Sequence, residues 1–395
     1  MNFELNDDQQ AYVDTARQFA QKSLAPNAAQ WDAEALFPKD VLREAGELGF
    51  MSLYTPEAVG GMGMSRLDAA LIFEELAGGC TSTAAFMTIH NMALWMIASF
   101  GNEATHAAFI PKLLTGEHLA SYCLTEPGAG SDAASLRTTA TVDGDGDDQQ
   151  YVLSGQKMFI SGAGETDVLV VMARVADGDG PRPGAKGISS FVVPADTPGI
   201  SYGRKEEKMG WNSQPTRAIT FDDVRVPKAN RLGAEGEGFR IAMQGLDGGR
   251  INIATTAVGT AQAALDTAAK YIQERNQFGG PISQFQSVQF KLADMATELV
   301  AARQMVRMAA TRLDAKHPEA TVYCAMAKRF ATDVAFEVCN EALQLHGGYG
   351  YIREYPLERH VRDVRVHQIL EGTNEIMRVI VSRRMMMEGA TEVVR

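Results

Sequence analysis

The sequence lacks a long apolar run, a basic segment and a cysteine framework. None of its apolar stretches approaches the roughly 18 residues that predict a membrane-spanning helix. The 49 acidic residues outnumber the 37 basic ones, and no cationic cluster offers the footprint that general nucleic-acid binding requires. Neither a membrane nor a nucleic acid is therefore expected as a partner. Cys80, Cys123, Cys324 and Cys339 form no C-x-x-C pair and are predicted to be buried free thiols in a reducing compartment.

Signals for targeting and for metal binding are also missing. The N-terminal stretch MNFELNDDQQAYVDTARQF is acidic and has the pattern of an amphipathic helix, without an apolar signal core or Arg/Ser-rich transit character. We expect a cytoplasmic protein, or one of the mitochondrial matrix if a transit peptide has been removed. The seven histidines form no HExxH motif and no Cys/His cluster, so no metal site is predicted.

Three stretches of different pattern predict three domains in a chain of 395 residues, 45% of them apolar. Residues 1–120 have apolar side chains at helical spacing and predict an N-terminal helical domain. Residues 121–232 contain short runs rich in Val, Ile, Phe and Thr between Gly, Pro and Asp, which predict a middle antiparallel β-domain. In residues 233–395 the helical period returns and predicts a C-terminal four-helix bundle. The expected fold class is α+β.

The pattern also places individual elements. The predicted strands are 151–160, 167–175, 187–195 and 218–226, with hairpin loops at 143–149 and 176–186. The predicted bundle helices are 238–275, 287–315, 319–345 and 366–388.

Three motifs suggest chemistry that their context disfavours. DGDGDD at 143–148 resembles a calcium loop, but Asp148 stands where Gly is needed and Ser154 where Glu is needed. The loose GxGxxA pattern at 128–133 enters a β-domain rather than a βαβ unit, which disfavours a nicotinamide site. His346-Gly347-Gly348 resembles a hydrolase oxyanion loop, yet the chain has no G-x-S-x-G nucleophile elbow.

Four other segments are candidates for a ligand site, and each also has a plain structural interpretation. YCLTEPGAGSD (122–132) offers a glycine loop that a flat or phosphorylated ligand can approach closely, or is an ordinary tight loop. KMFISGAG (157–164) has two interpretations: a strand whose Phe and Ser contact a ligand, or a strand with a Phe in the core. RNQFGGPISQFQ (275–286) is a polar break between helices and by itself favours a solvated loop.

The fourth segment, HQILEGTNEIMRVIVSR (367–383), contains a carboxylate in an apolar stretch. Glu371 and Gly372 interrupt the apolar pattern. A carboxyl in such a setting has a raised pKa, as a general base acting on a weak carbon acid requires. The alternative is a helix N-cap region with acceptors at Thr373 and Asn374.

Together, in this order and spacing, the four segments resemble the acyl-CoA dehydrogenase family. The resemblance covers essentially the whole chain, and QLHGGYG (344–350) and ILEGT (369–373) are among its specific motifs. GISSFVV (187–193), KMGWNSQPTRAITFDD (208–223) and LDGGRINIA (246–254) are most similar to family members that act on isobutyryl-CoA.

The resemblance implies an FAD enzyme that introduces a Cα–Cβ double bond into an acyl-CoA thioester. The expected reaction converts isobutyryl-CoA to methacrylyl-CoA, as in valine catabolism, and passes electrons to electron-transfer flavoprotein. It further implies a homotetramer. A straight short- or medium-chain acyl-CoA dehydrogenase of the butyryl-CoA type and a non-catalytic flavin-binding scaffold remain as alternatives.

The resemblance also assigns residue roles. Glu371 would be the catalytic base that removes the α-proton. The residues expected to bind FAD are Tyr122, Leu124, Thr125, Gly130, Ser131, Phe159, Ile160, Ser161, Arg275, Phe278, Phe285, Gln286, Gln344, Gly347, Gly348, Thr373, Asn374 and Glu375. The residues expected to bind the acyl-CoA are Ser131, Asp247, Gly248, Gly249, Arg250 and Arg383.

Two departures from relatives bear on these roles. Many relatives carry Trp and Thr where this chain has Phe159 and Ser161, and both replacements keep a ring and a hydroxyl. Some relatives carry the catalytic Glu at the position of Gly249, which cannot act as a base, so the base is expected at Glu371. We hypothesise that Gly248 and Gly249 free volume for a short α-branched acyl group.

Overall fold

The computed structural model describes residues 4–177 and 180–387. It begins with six helices: α1 (Asp7–Phe19), α2 (Ala28–Glu34), α3 (Lys39–Glu47), α4 (Arg66–Gly79), α5 (Thr81–Phe100) and α6 (Glu103–Leu114). The strands of the middle region are β1 (Ala120–Cys123), β2 (Thr139–Asp143), β3 (Gln150–Ser161), β4 (Val168–Asp177), β5 (Gly180–Pro181), β6 (Ile188–Pro194), β7 (Ile200–Tyr202), β8 (Thr216–Pro227) and β9 (Arg231–Leu232). The last region contains α7 (Gly238–Glu274), the hairpin β10 (Asn276–Gln277) and β11 (Gly280–Pro281), α8 (Gln286–Asp314), α9 (Ala320–His346), α10 (Leu357–Arg365) and α11 (Asn374–Met385).

The middle strands form one mostly antiparallel sheet, as predicted. Its order is β7-β8-β3-β2-β4-β6-β9, and β1 and β5 also pair with β4. Two pairings are parallel, β1 with β4 and β2 with β4. The predicted loop 143–149 joins the antiparallel strands β2 and β3. The predicted loop 176–186 contains the short strand β5, and its residues 178 and 179 lie outside the described part of the chain.

The long helices α7, α8 and α9 pack around one apolar core. The stripe predicted along α8 faces that core: Met295, Leu299, Ala302 and Val306 are each less than 5% exposed. Such a stripe buries one face of a long helix against its neighbours. The prediction of a C-terminal helix bundle is therefore confirmed.

The predicted helix 366–388 is wrong at its start. A short 3-10 turn at Val366–Gln368 leads into a bend, and α11 begins only at Asn374. Glu371 and Gly372 have φ angles of 56° and 89°, which a right-handed helix cannot contain. The Thr373 hydroxyl then caps α11 by accepting a hydrogen bond from the Ile376 N–H at 3.3 Å. Residue 388 of the predicted helix lies outside the described residues.

Three other expectations concern the whole chain. The four cysteines are buried free thiols, as predicted. Within residues 4–177 and 180–387, no helix is long and apolar enough to cross a membrane. In the same ranges, no group of three or more His, Cys, Asp or Glu side chains could hold a metal ion.

Candidate active site

A cavity of about 380 Å³ lies where α5, β1, β3, α7 and the bend before α11 meet. It brings together eleven of the residues predicted to form the site: Tyr122, Leu124, Thr125, Gly130, Ser131, Phe159, Ile160, Ser161, Arg250, Glu371 and Arg383. They come from sequence segments up to about 260 positions apart. The cavity therefore joins the predicted cofactor loop to the predicted base.

Glu371 enters this cavity from the bend before α11. Its side chain is partly buried, and Oε2 is fully buried with no hydrogen-bond partner in the described part of the chain. Burial raises the pKa of this carboxyl to about 7, while the charges of Arg250 and Lys328 act in the opposite direction. A carboxyl with a pKa near neutrality, held without a partner in a cavity, suits removal of a proton from carbon.

Gly249 on α7 makes room for this carboxyl. A Cβ atom added at Gly249 would lie only 2.5 Å from Glu371 Oε2 and 3.2 Å from Met92 Sδ. A side chain at position 249 and the Glu371 carboxyl therefore compete for the same space. The position of the Glu371 carboxyl in the cavity therefore requires a glycine at position 249.

The hypothesis that Gly248 and Gly249 free volume for the acyl group stays a prediction, and the structure shows which side chains lie against these glycines. A Cβ atom at Gly248 would lie 2.5 Å from Arg66 Nη1. The Arg66 guanidinium stacks 3.5 Å from the centre of the Tyr54 ring. In this structure Arg66 lies against Gly248, and Glu371 lies against Gly249.

The loop 122–132 is held by a buried lysine of β3, Lys157. Lys157 Nζ donates to the Leu124 carbonyl at 3.1 Å and to Glu126 Oε1 at 2.8 Å. The Glu126 carboxylate also accepts hydrogen bonds from the backbone N–H groups of Arg137 and Thr138. Burial would raise the pKa of Glu126, but Lys157 and these hydrogen bonds lower it overall. Glu126 therefore stays ionised and fixes the path of the loop.

Phe159 is turned out of the sheet at an irregularity in β3. The pairing of β3 with β8 shifts register between Lys157 and Ile160, and Phe159 has a φ angle of 58°. Its side chain is 62% exposed although it lines the cavity. A bulge that re-aims a side chain is common beside active sites. An exposed ring in a strained backbone is consistent with a ligand contact rather than with a core Phe.

The loop 122–132 leaves open space beside its backbone, and this space fits FAD. A Cβ atom added at Gly128 or Gly130 would meet no other atom within 4 Å. Packing within the chain therefore does not require glycine at these two positions, whereas close approach of a flat ligand to the loop does. The Tyr122 hydroxyl beside the loop is buried without a partner, and burial, aided by the Glu371 charge, raises its pKa.

A second group of predicted cofactor residues lies elsewhere. Arg275, Gln344, Gly347 and Gly348 line another cavity, of about 500 Å³, between the end of α7 and the end of α9. Phe278, on the β10–β11 hairpin, is 93% exposed. Its ring centre lies 6.1 Å from that of Phe285, and Gln286 begins α8 with an exposed side chain. This group does not line the cavity that contains Glu371.

Three predicted cofactor residues that follow Glu371, namely Thr373, Asn374 and Glu375, do not line the first cavity. Thr373 caps α11, and Glu375 is 80% exposed beside Arg378. Asn374 is 3% exposed and points towards α9, where its amide donates to Thr332 Oγ1 at 2.9 Å. The expected contacts of these three residues with FAD stay predictions.

The expected substrate residues are arranged around Arg250. Asp247 Oδ1 accepts a hydrogen bond from Arg250 Nη1 at 2.7 Å, and its other oxygen accepts one from Thr321 at 2.6 Å. Arg250 is 5% exposed, and its Nε is buried without a partner. Arg383 and Ser131 are exposed at the rim of the cavity.

Sequence reasoning missed much of the apolar lining and its support. Trp211 is an example: its φ angle is 55°, and its indole N–H donates to His367 Nε2 at 3.2 Å. Helical spacing on α7 could have placed Met243 and Leu246 on the face of Arg250. Further lining residues without a predicted role are Ile89, Met92, Asp132, Ala133, Ala134, Phe239, Leu370, Gly372, Ile376 and Ile380.

Comparisons with known proteins cover all three regions. Residues 6–117, 121–224 and 236–386 match the family models of the N-terminal, middle and C-terminal domains of acyl-CoA dehydrogenase. The mitochondrial isobutyryl-CoA dehydrogenase of Bos taurus is 53% identical over 384 residues, which are 97% of this chain and 90% of that protein.

Two solved structures are similar over nearly the whole chain. Butyryl-CoA dehydrogenase from Megasphaera elsdenii has a TM-score of 0.92 and 41% identity, covering 98% of this chain and 100% of that one. A chain reported with the electron transferring flavoprotein of Acidaminococcus fermentans has a TM-score of 0.93 and 41% identity, with the same coverage.

Proposed function

The chain belongs to the acyl-CoA dehydrogenase family, and from that premise we propose that it is an FAD-dependent dehydrogenase of short, α-branched acyl-CoA thioesters. Its substrate is isobutyryl-CoA, its product is methacrylyl-CoA, and electron-transfer flavoprotein receives the electrons. The 53% identity to an isobutyryl-CoA dehydrogenase exceeds the 41% identity to a butyryl-CoA dehydrogenase. This difference favours the branched substrate over the straight one.

The observation that carries the proposal is the Glu371 carboxyl. Its Oε2 is buried without a partner in the cavity, and its pKa is raised to about 7. Near neutral pH a substantial fraction of this carboxyl is therefore ionised and able to take a proton. A scaffold that only binds flavin has no need of such a group.

In the proposed reaction, Glu371 removes the α-proton of the thioester onto its carboxylate. The backbone N–H of Glu371 donates to the thioester carbonyl oxygen, where negative charge develops as the proton leaves. The apolar lining, including Met92, Trp211 and Leu246, excludes water from the carboxyl and strengthens these interactions. The double bond forms as the β-carbon also loses a hydrogen with its electron pair, and FAD, when bound, would supply the acceptor for this hydride.

We assign the flavin end of FAD to the cavity that contains Glu371. Leu124, Thr125, Gly130 and Ser131 would hold it through the glycine loop, with Phe159 and Ser161 beside it. The open space at Gly130 and the exposed ring of Phe159 support this assignment.

The adenosine-pyrophosphate end is assigned to the second cavity, across an interface in a homotetramer. Arg275 stacks 5.5 Å from the centre of the Tyr349 ring, and its permanent charge suits a pyrophosphate. Phe278 and Tyr351 are 93% and 82% exposed next to this cavity. Large exposed aromatic side chains near a ligand site favour a protein interface.

The CoA moiety is assigned to the rim of the first cavity. Arg383 is exposed there, and it has no ion-pair partner among the residues that the structure describes. A guanidinium free of carboxylates can bind a CoA phosphate despite the net charge of −12.

The compartment stays a prediction. The bovine relative is mitochondrial by name, and this chain is predicted to be cytoplasmic or, if a transit peptide has been removed, to lie in the mitochondrial matrix. Fractionation of the native host would decide between them.

The proposed function is tested by a panel of acyl-CoA thioesters with an artificial electron acceptor. We expect the highest kcat/KM for isobutyryl-CoA, with lower values for butyryl-, hexanoyl- and octanoyl-CoA. Higher kcat/KM values for the straight-chain thioesters would favour the alternative, an acyl-CoA dehydrogenase of the butyryl-CoA type. Bound flavin without turnover of any thioester would favour the scaffold.

A further inference from the structure

Lys328, on α9, lies beneath the bend that carries Glu371, and the reaction described above does not use it. Its side chain is 0% exposed. Its Nζ donates to the Gly372 carbonyl and to Asn374 Oδ1, both at 2.9 Å. Both acceptors are neutral, and among the described residues Lys328 takes part in no ion pair. A buried ammonium without a counter-charge in contact is costly, and so its presence calls for a reason.

The amide of Asn374 fixes the direction in which Lys328 points. Its Nδ2 donates to Thr332 Oγ1 at 2.9 Å and to Asp333 Oδ1 at 2.7 Å. With both of its donors engaged on α9, the amide presents its oxygen to Lys328. The lysine is therefore held against the bend by a network that spans α9 and the start of α11.

The hydrogen bond to Gly372 acts on the residue before it. Glu371 has a left-handed φ angle of 56°, a conformation that strains a non-glycine residue. The carbonyl that Lys328 holds belongs to the next residue in the chain, so the bond stabilises the conformation that directs Glu371 into the cavity.

The charge of Lys328 acts on the Glu371 carboxyl as well. Burial lowers the pKa of Lys328 to about 7, and the Glu371 charge opposes that change. In return, Lys328 lowers the pKa of Glu371 against the effect of burial. An ammonium beside a carboxyl favours the ionised carboxylate, which is the form that removes a proton.

Other ionisable groups face the pair. Arg250 on α7 lowers the Glu371 pKa by more than Lys328 does. Arg250 forms an ion pair with Asp247 at 2.7 Å, whereas Lys328 also donates a hydrogen bond to the backbone of the bend. Burial, with a contribution from Lys328, lowers the pKa of His367 to about 3, so this imidazole is neutral. The remaining groups that interact with Lys328 or Glu371 are Asp333, Glu375, Tyr54 and Tyr122.

We propose that Lys328 is a positioning residue of the dehydrogenation: its ammonium holds the Gly372 carbonyl, directs Glu371 into the cavity, and keeps the Glu371 carboxyl ionised for proton removal. The inference rests on the proposed function, because it requires Glu371 to be the base.

Two measurements on the full-length holoenzyme test it. The first is the pH dependence of kcat/KM with isobutyryl-CoA. The second is an infrared titration of the Glu371 carboxyl without substrate, identified as the band that E371Q lacks. In Lys328→Met, which removes charge and donor, both midpoints should move up by about one pH unit or more, because a neighbouring cation has been lost.

Two further variants separate charge from structure. Lys328→Gln keeps an N–H donor without the charge, so its midpoints should also rise, and it replaces the Met variant if that protein does not fold. Thr332→Val removes a hydrogen bond from the same network without changing any charge and leaves the bond from Asn374 to Asp333 in place. Its midpoints should therefore move much less than those of the Lys328 variants.

The outcomes distinguish the two levels of inference. Wild-type turnover with unshifted midpoints in both Lys328 variants would overturn the role of Lys328 alone. A shift of equal size in Thr332→Val would also overturn it, since a structural disturbance would then explain the change. Absence of turnover in the wild type with every thioester would overturn the proposed function, and with it the catalytic role of Lys328.

Discussion

Two loops meet in the cavity, and each is held by a buried lysine. Lys157 bonds to the Leu124 carbonyl beneath the glycine loop, and Lys328 bonds to the Gly372 carbonyl beneath the bend. Both lysines are 0% exposed. The same device thus fixes the backbone on both sides of the cavity.

The two lysines differ in what neutralises them. Lys157 contacts the Glu126 carboxylate at 2.8 Å, whereas the contacts of Lys328 are neutral oxygens. The charge of Lys157 is balanced by Glu126, whereas the charge of Lys328 lowers the pKa of Glu371. The comparison suggests that Lys157 only fixes the shape of the glycine loop, whereas Lys328 fixes the bend and also favours the ionised form of Glu371.

The largest expected effect is that of Lys157→Met on stability. This variant leaves the Glu126 carboxylate buried without its counter-ion, which typically costs about 3–5 kcal/mol. Lys328→Met should cost less, about 1–3 kcal/mol, because Glu371 can take up a proton and leave no unpaired charge. Urea unfolding at neutral pH measures both values.

A double variant is the control for this difference. Lys157→Met with Glu126→Gln removes both charges and should recover part of the stability that the single variant loses. Equal losses in Lys157→Met and Lys328→Met would break the comparison between the two loops.

The next effect is a pH-dependent gain of stability in Glu371→Gln. The folded pKa of Glu371 is about 7, against an ordinary value of 4.5, so between these pH values the folded state holds a proton that the unfolded chain releases. Stability from this group is therefore greatest below about pH 4 and falls as the pH rises to about 7. Glutamine cannot ionise, so the variant should match the wild type in acid and exceed it by about 3 kcal/mol above neutrality.

Glu126→Gln is the matched control for Glu371→Gln, and its change in stability at neutral pH should have the opposite sign. The pKa of Glu126 is lowered in the fold, so its ionised form stabilises the protein above its ordinary pKa, and that stability is lost as the pH falls. This variant should be less stable than the wild type at neutral pH, and the gap should close in acid. If the free energies of unfolding of the two Gln variants changed with pH in the same way, the opposite pKa shifts of Glu371 and Glu126 would be contradicted.

The smallest expected effect on stability is that of Gly130→Ala. The added Cβ meets nothing within 4 Å, so the free energy of unfolding of the apoprotein should change by less than about 0.5 kcal/mol. FAD should nevertheless dissociate more readily, because the methyl group occupies the space assigned to the flavin. Equilibrium dialysis measures this, and unchanged FAD affinity would remove Gly130 from the site.

The order of helices and strands could be predicted from local pattern, because apolar spacing and turn residues act over a few positions. The parallel pairings of β1 and β2 with β4 could not, since they join strands that are distant in sequence. The bend at Glu371 was predicted as helix because Ile369 and Leu370 continue the apolar pattern, while the φ angles that end it are set by Gly372 and by contacts with α9.

The family resemblance could name residues that lie within its motifs, and Gly130, Ser131 and Glu371, which it implied, all line the cavity. Lys328 could not be named in this way, because a single lysine in a helical pattern reads as a solvated side chain, and only the packing of α9 under the bend buries it. The sequence predicted that Gly249 frees space for the acyl group. It did not predict the contact of Gly249 with Glu371, because the two residues are 122 positions apart.

The central claim is that Glu371 starts an FAD-dependent oxidation of isobutyryl-CoA, and anaerobic bleaching of the flavin tests it most directly. Wild-type holoenzyme should lose its visible flavin absorbance when isobutyryl-CoA is added. Glu371→Gln should retain the bound flavin and bleach slower by a factor of about 10²–10⁴, the usual contribution of a general base. Bleaching of the variant at the wild-type rate, or persistent colour of the wild type with isobutyryl-CoA, would contradict the account.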